Sequence, residues 1–164
     1  PVQGLLKSSS GVLGVIGNAE QLPFRDASFD VAYFKASFHH VADREKAFAE
    51  AVRITKPDGR VLLIEPNGAH PQRWLVSHSN GWVRKTRILT SFLGPPETFP
   101  SVDEVIEISR KHRMEMEVLV YAENDYDHLT VRQFLQRCYF RGFKTFVPEK
   151  YLMPYYILSF KKVF

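Results

Sequence analysis

The chain has 164 residues, 45% hydrophobic and 24% charged, with 22 Lys and Arg against 18 Asp and Glu for a formal net charge of +4. That composition excludes a disordered or collagen-like chain and suits one globular domain large enough to bury a core. The single cysteine, Cys138, excludes an internal disulfide framework, and no apolar run reaches the roughly 18–20 residues that span a bilayer, so a cytoplasmic protein is expected.

The predicted elements alternate between strand and helix. Residues 12–17, Val-Leu-Gly-Val-Ile-Gly, form a short apolar, β-branched run of the kind found in a strand covered on both faces. A second strand, 30–34, follows a turn-rich stretch at 23–28. Asp43 is placed to cap a helix in which Ala47, Phe48, Ala51 and Val52 share a face, and Pro57 stops it near Lys56. Lys56-Pro57-Asp58-Gly59 reads as a β-turn before a third strand at 61–64. Strand, helix and strand in that order make the crossover unit of a parallel sheet.

Beyond Glu65-Pro66-Asn67-Gly68 lies an irregular stretch containing Trp74, Trp82 and Phe92 and ending at Gly94-Pro95-Pro96. Ser101-Val-Asp-Glu104 has the form of a capping box, and Val102, Val105, Ile106 and Ser109 share the helical face behind it. Met114, Met116, Val118 and Val120 alternate with polar or less apolar neighbours, which predicts a strand with that set buried. Thr130 can cap a helix whose Val131, Phe134, Leu135 and Cys138 line one face, where Cys138 packs as a small apolar residue. Residues 155–163 read as a last strand.

Charge is distributed in blocks. Residues 71–90 carry four positive and no negative side chains, 91–130 carry three against nine, and 131–164 carry seven against one. Two readings stay open: mutual neutralisation on adjoining surfaces, or contact with a phosphate-bearing substrate or an anionic membrane surface. A nucleic-acid binder rests on these blocks alone and is not expected.

Several short pieces fall in order within residues 17–65: Asn18-Ala19-Glu20, Leu22-Pro23-Phe24, Ser28-Phe29-Asp30, His39-His40, Glu50 to Arg53, Lys56-Pro57-Asp58-Gly59-Arg60 and a strand ending at Glu65. Together they resemble the middle of a class I S-adenosylmethionine-dependent methyltransferase, and within that superfamily the ubiquinone/menaquinone-biosynthesis C-methyltransferases. The resemblance implies a Rossmann-like α/β fold, a mostly parallel sheet with an antiparallel last strand, and S-adenosylmethionine as methyl donor. It places Asn18 at the exocyclic amine of the adenine, Ala19 at a ring nitrogen, and Lys35, through its backbone, among the cofactor contacts. An Asx turn that merely ends the strand is the competing role for Asn18, and a solvated strand end that for Lys35.

His39-His40 does not suggest a metal site, because adjacent residues point in different directions and no Cys or carboxylate at ligand spacing completes a set. A histidine here either orients substrate or takes a proton, or makes a structural hydrogen bond. Methyl transfer from a sulfonium needs alignment more than dedicated catalytic groups, and no triad or dyad is legible. Substrate choice is assigned to two cap segments, 66–100 and 121–155. There Trp74, Trp82, Phe92, Tyr139 and Phe140 offer an apolar pocket for a small-molecule or lipid-like acceptor, and Arg73, Arg84, Lys85 and Arg87 a cationic lining.

Ahead of residue 12 there is only PVQGLLKSSSG, without the Gly-rich turn and acidic strand end with which a class I domain begins. The expectation is therefore a single domain over 1–164, N-terminally incomplete and lacking its first two strands, with an open sheet edge that another copy or chain would cover. A truncated, non-catalytic scaffold of the same fold is the alternative to an enzyme.

Overall fold

The computed structural model describes residues 14–71, 73, 74, 98–122 and 147–163. Their elements run β1 (Phe29–Lys35), a 3-10 turn (Phe38–His40), α1 (Arg44–Ile54), β2 (Thr55–Pro66), α2 (Val102–Lys111), β3 (Met114–Ala122), a short α3 (Glu149–Leu152) and β4 (Tyr155–Lys162). The strands form one sheet in the order β1-β2-β4-β3. β1 and β2 pair in parallel, and β4 lies antiparallel to both β2 and β3. A mostly parallel sheet with an antiparallel last strand is what the sequence predicts.

Helix α1 forms where its apolar spacing requires. The Asp43 side chain accepts from the Lys46 N–H at 3.0 Å, and Ala47, Phe48, Ala51, Val52 and Ile54 are buried. Helix α2 is capped by Ser101, whose hydroxyl accepts from the Glu104 N–H at 3.2 Å. The Glu104 carboxylate accepts instead from Nη1 of Arg44 at 2.9 Å and ties the two helices together. Both pack on one face of the sheet, against Val61, Leu63, Tyr156, Leu158 and Phe160. At the centre the Phe48 and Phe160 rings meet edge to face at 5.6 Å.

Three local expectations differ from the structure. Residues 14–17 are not a strand: Val15 and Ile16 are exposed, and the next residue, Asn18, makes only an isolated bridge to Gln21. A strand exists through its ladder to a neighbour, and among the described residues no strand pairs with this segment. Residues 56–59 are a bulge inside β2, not a turn before it. Thr55 opposes Phe29 and Arg60 opposes Val31, so these residues loop out of register. Gly59 is needed there because a Cβ would stand 2.7 Å from the Asp30 carbonyl oxygen.

In β3 the predicted buried set fails beyond Met114. A register shift between Met116 and Val118 turns the strand over, so Leu119 and Tyr121 pack on the core while Val118 and Val120 are exposed. On β1, Ala32 and Phe34 pack on the core, whereas Val31 and Tyr33 are exposed on the other face. Among the described residues, no strand flanks the outer edge of β1 and no helix is long and apolar enough to cross a membrane. The helix expected after Thr130 lies outside the described residues, as do Cys138, Trp82, Phe92, Tyr139, Phe140, Arg84, Lys85 and Arg87.

Candidate functional site

In an open α/β sheet ligands bind beyond the carboxyl ends of the parallel strands, here Lys35 of β1 and Glu65-Pro66 of β2. Lys35 pairs with Ile64 and its side chain is exposed. The next residue, Ala36, has a φ of 48° while its N–H donates to the Ile64 carbonyl at 2.8 Å. This left-handed step turns the chain across the end of β2.

The turn is received by Glu65. Its side chain is fully buried and accepts from the Ser37 N–H at 2.7 Å, the Phe38 N–H at 2.8 Å and Nδ1 of His39 at 2.6 Å. Both backbone bonds fall on Oε1 and the His39 contact on Oε2, so with Glu65 as a carboxylate Nδ1 of His39 is the donor. The His39 ring also lies tilted against His40, 4.0 Å between centroids, and against Phe99 at 5.0 Å. The Arg73 guanidinium lies 4.5 Å from the Phe99 centroid.

A second group is the loop from Asn18 to Asp26, which runs alongside α1. The Asn18 side-chain oxygen accepts from the Glu20 N–H at 3.0 Å, and the Gln21 N–H donates to the Asn18 carbonyl at 3.0 Å. Oε1 of Glu20 accepts from the Ala42 and Asp43 N–H groups at 3.1 and 3.0 Å, just past the 3-10 turn. Further along, the Leu22 N–H donates to Oε2 of Glu50 at 2.7 Å. Arg53 donates to the Leu22 and Phe24 carbonyls, to Asp26, and to both oxygens of Glu50. Arg53 holds the Glu50 carboxyl below the ordinary carboxylate range, and Glu50 in turn raises the Arg53 guanidinium.

The bonds from Glu20 to the N-terminus of α1 put Asn18 and Ala19 at the same end of the sheet as Lys35. The Asx turn at Asn18 is present, yet an amide oxygen accepts two bonds and so keeps one acceptor site. Among the described residues the Ala19 N–H has no partner. An amide oxygen with one acceptor site left thus lies one residue from an N–H that has no partner among the described residues. Sequence reasoning left Glu65 without a role and missed the tie between Glu50 and the loop. An acidic residue closing an apolar strand was the available signal for the first.

Residues 5–63 match the sequence model of a methyltransferase domain. Over 49 residues the chain is 47% identical to an uncharacterized methyltransferase, YcgJ, of Bacillus subtilis, covering 30% of this chain and 19% of that protein. Over 59 residues it is 42% identical to the ubiquinone/menaquinone biosynthesis C-methyltransferase UbiE of Idiomarina loihiensis, covering 32% and 24% respectively. Among solved structures, a SAM-dependent methyltransferase of Thermotoga maritima, described as a possible histamine N-methyltransferase, superposes with a TM-score of 0.61 at 20% identity. That superposition covers 93% of this chain and 65% of the other.

The fold is that of the S-adenosylmethionine-dependent methyltransferases. The sequence match ends inside β2, at Leu63, so the segment shared with the methyltransferase model carries the 18–26 loop, β1, the 3-10 turn and α1. The second half of this methyltransferase fold matches by shape. The matched segments span only about a fifth to a quarter of the two curated relatives' lengths.

Proposed function

We propose that the protein transfers a methyl group from S-adenosylmethionine to a small-molecule or lipid-like acceptor. The observation that carries this reading is the convergence of Asn18-Ala19, Lys35 and the Glu65–His39 pair at the carboxyl end of β1 and β2, inside or next to the methyltransferase match. Asn18 and the Ala19 N–H would hold the adenine edge, with the Lys35 backbone beside them. The bound donor supplies a sulfonium whose methyl carbon is open to in-line displacement. The chain's part is to orient the acceptor, exclude water and take up a proton where the acceptor carries one. The name of the UbiE relative, which places it in quinone biosynthesis, supports an apolar acceptor. The cap segments 66–100 and 121–155 would choose it.

A non-catalytic scaffold is the second reading, favoured by the outer edge of β1, which no strand flanks among the described residues. Calorimetric titration of the full-length gene product with S-adenosylhomocysteine separates the two. The enzyme reading expects binding that Asn18→Leu weakens. Absence of binding at millimolar ligand rejects it, and unchanged affinity in Asn18→Leu removes that residue from the site.

A further inference from the structure

We infer that Glu20, Glu50 and Arg53 are positioning residues for the donor's nucleoside, fixing the Asn18–Ala19 segment by bonds to α1; this rests on the adenine-binding role proposed above for that segment. A loop that presents one backbone N–H and one amide oxygen to a base has little binding energy to spend on ordering itself. Preorganisation therefore sets its affinity. Among the described residues the 18–26 loop has no strand ladder to hold it, only the isolated bridge between Asn18 and Gln21. Its fixed points are side chains instead.

At its start, the Glu20 carboxylate bonds the Ala42 and Asp43 N–H groups, 22 and 23 residues away in sequence. They belong to the N-cap of α1 and the residue before it, where an anion is favoured. At its middle, both backbone polar groups of Leu22 are held, the N–H by Glu50 at 2.7 Å and the carbonyl by Arg53 at 3.1 Å. Arg53 spends all five of its N–H donors on Leu22, Phe24, Asp26 and Glu50, so no donor is left over for a ligand. Its role is to carry the loop on α1. The same helix N-terminus follows the turn held by Glu65, so the loop, the turn and the end of β2 form one connected frame.

The test titrates the full-length protein with S-adenosylhomocysteine and, separately, with 5′-methylthioadenosine, which has the nucleoside but lacks the amino-acid end. Glu20→Ala and Arg53→Lys should each weaken both ligands by the same factor, about tenfold, the worth of one or two net hydrogen bonds. Glu20→Gln keeps an acceptor oxygen and should stay within about twofold of the parent by the same arithmetic. Thermal melts identify the folded variants, and the Glu20 pair, at a partly exposed site, keeps the test decisive if Arg53→Lys unfolds. If folded variants bind both ligands like the parent, the inference is wrong while the methyltransferase reading stands. A loss for S-adenosylhomocysteine alone also overturns it, because the damage is then at the amino-acid end. If the parent binds neither ligand, the reading itself falls and the inference with it.

Discussion

The buried carboxylate of Glu65 accepts from Nδ1 of His39 at 2.6 Å, joining the end of β2 to the turn that follows β1. With the Ser37 and Phe38 N–H bonds it gathers three donors at the end of β2. Removing one side of a buried charged network costs far more than a surface pair does. Glu65→Ala should destabilise by about 3 kcal/mol or more, read as a urea-unfolding midpoint. Glu65→Gln should cost less, since an amide oxygen still serves the backbone donors, but its NH2 opposes Nδ1–H and should drive the His39 proton to Nε2. A nitrogen-15 imidazole spectrum distinguishes the tautomers. An unchanged His39 tautomer in Glu65→Gln would contradict this account.

Ala36 pays for the turn that Glu65 receives. A left-handed φ of 48° costs a non-glycine residue roughly 1 kcal/mol, and a β-branched one more. Ala36→Val should therefore lose about 1–2 kcal/mol by that reasoning. Ala36→Gly should be near neutral, because relief of strain is offset by added freedom in the unfolded chain. Denaturant melts of the two variants check the order; a Val variant as stable as the Gly variant would show that the turn carries no strain.

Much of this frame was legible because its signals are local. Asp43 and Ser101 mark helix starts by their own side chains, and the apolar spacing of α1 names its buried face. Residues 56–59 and 114–120 misled for a common reason. Whether Pro57-Asp58-Gly59 makes a turn or a bulge, and which side of β3 is buried, is decided by register against β1 and β4. Register depends on a neighbouring strand, which a reading of one segment does not contain. The site shows the same division: Asn18, Ala19 and Lys35 stood out by resemblance, whereas Glu65 with His39 and Glu50 with Leu22 are 26 and 28 residues apart and meet only in the fold.

Gly68 marks another close approach. Its N–H donates to the Pro100 carbonyl at 3.1 Å, and a Cβ there would overlap the carbonyl of Phe99. That backbone has little room to yield, because the Phe99 ring packs against His39 and the Arg44 guanidinium bonds Thr98. Gly68→Ala should cost about 2–3 kcal/mol, as overpacking against backbone does. It should also raise hydrogen exchange at the residue 68 amide. A melt within a few tenths of a kcal/mol of the parent would mean that the 98–100 segment moves aside freely.

His70 gives the pH dependence that is easiest to isolate. It is buried, and desolvation, helped by the nearby positive charge of Arg73, lowers its pKa to about 4, against 6.5 for the free side chain. Between these values the unfolded chain binds a proton that the folded chain refuses, so stability falls as pH drops from about 6.5 toward 4 and is fully present above that window. The slope contributed is at most that of one proton, about 1.4 kcal/mol per pH unit. Depressed carboxylates such as Glu50 act in the same direction at lower pH, around and below their free value of 4.5. The diagnostic interval is therefore pH 6.5 to 5. Urea midpoints measured there should decline in the parent and decline less in His70→Gln; equal slopes would place the titration elsewhere.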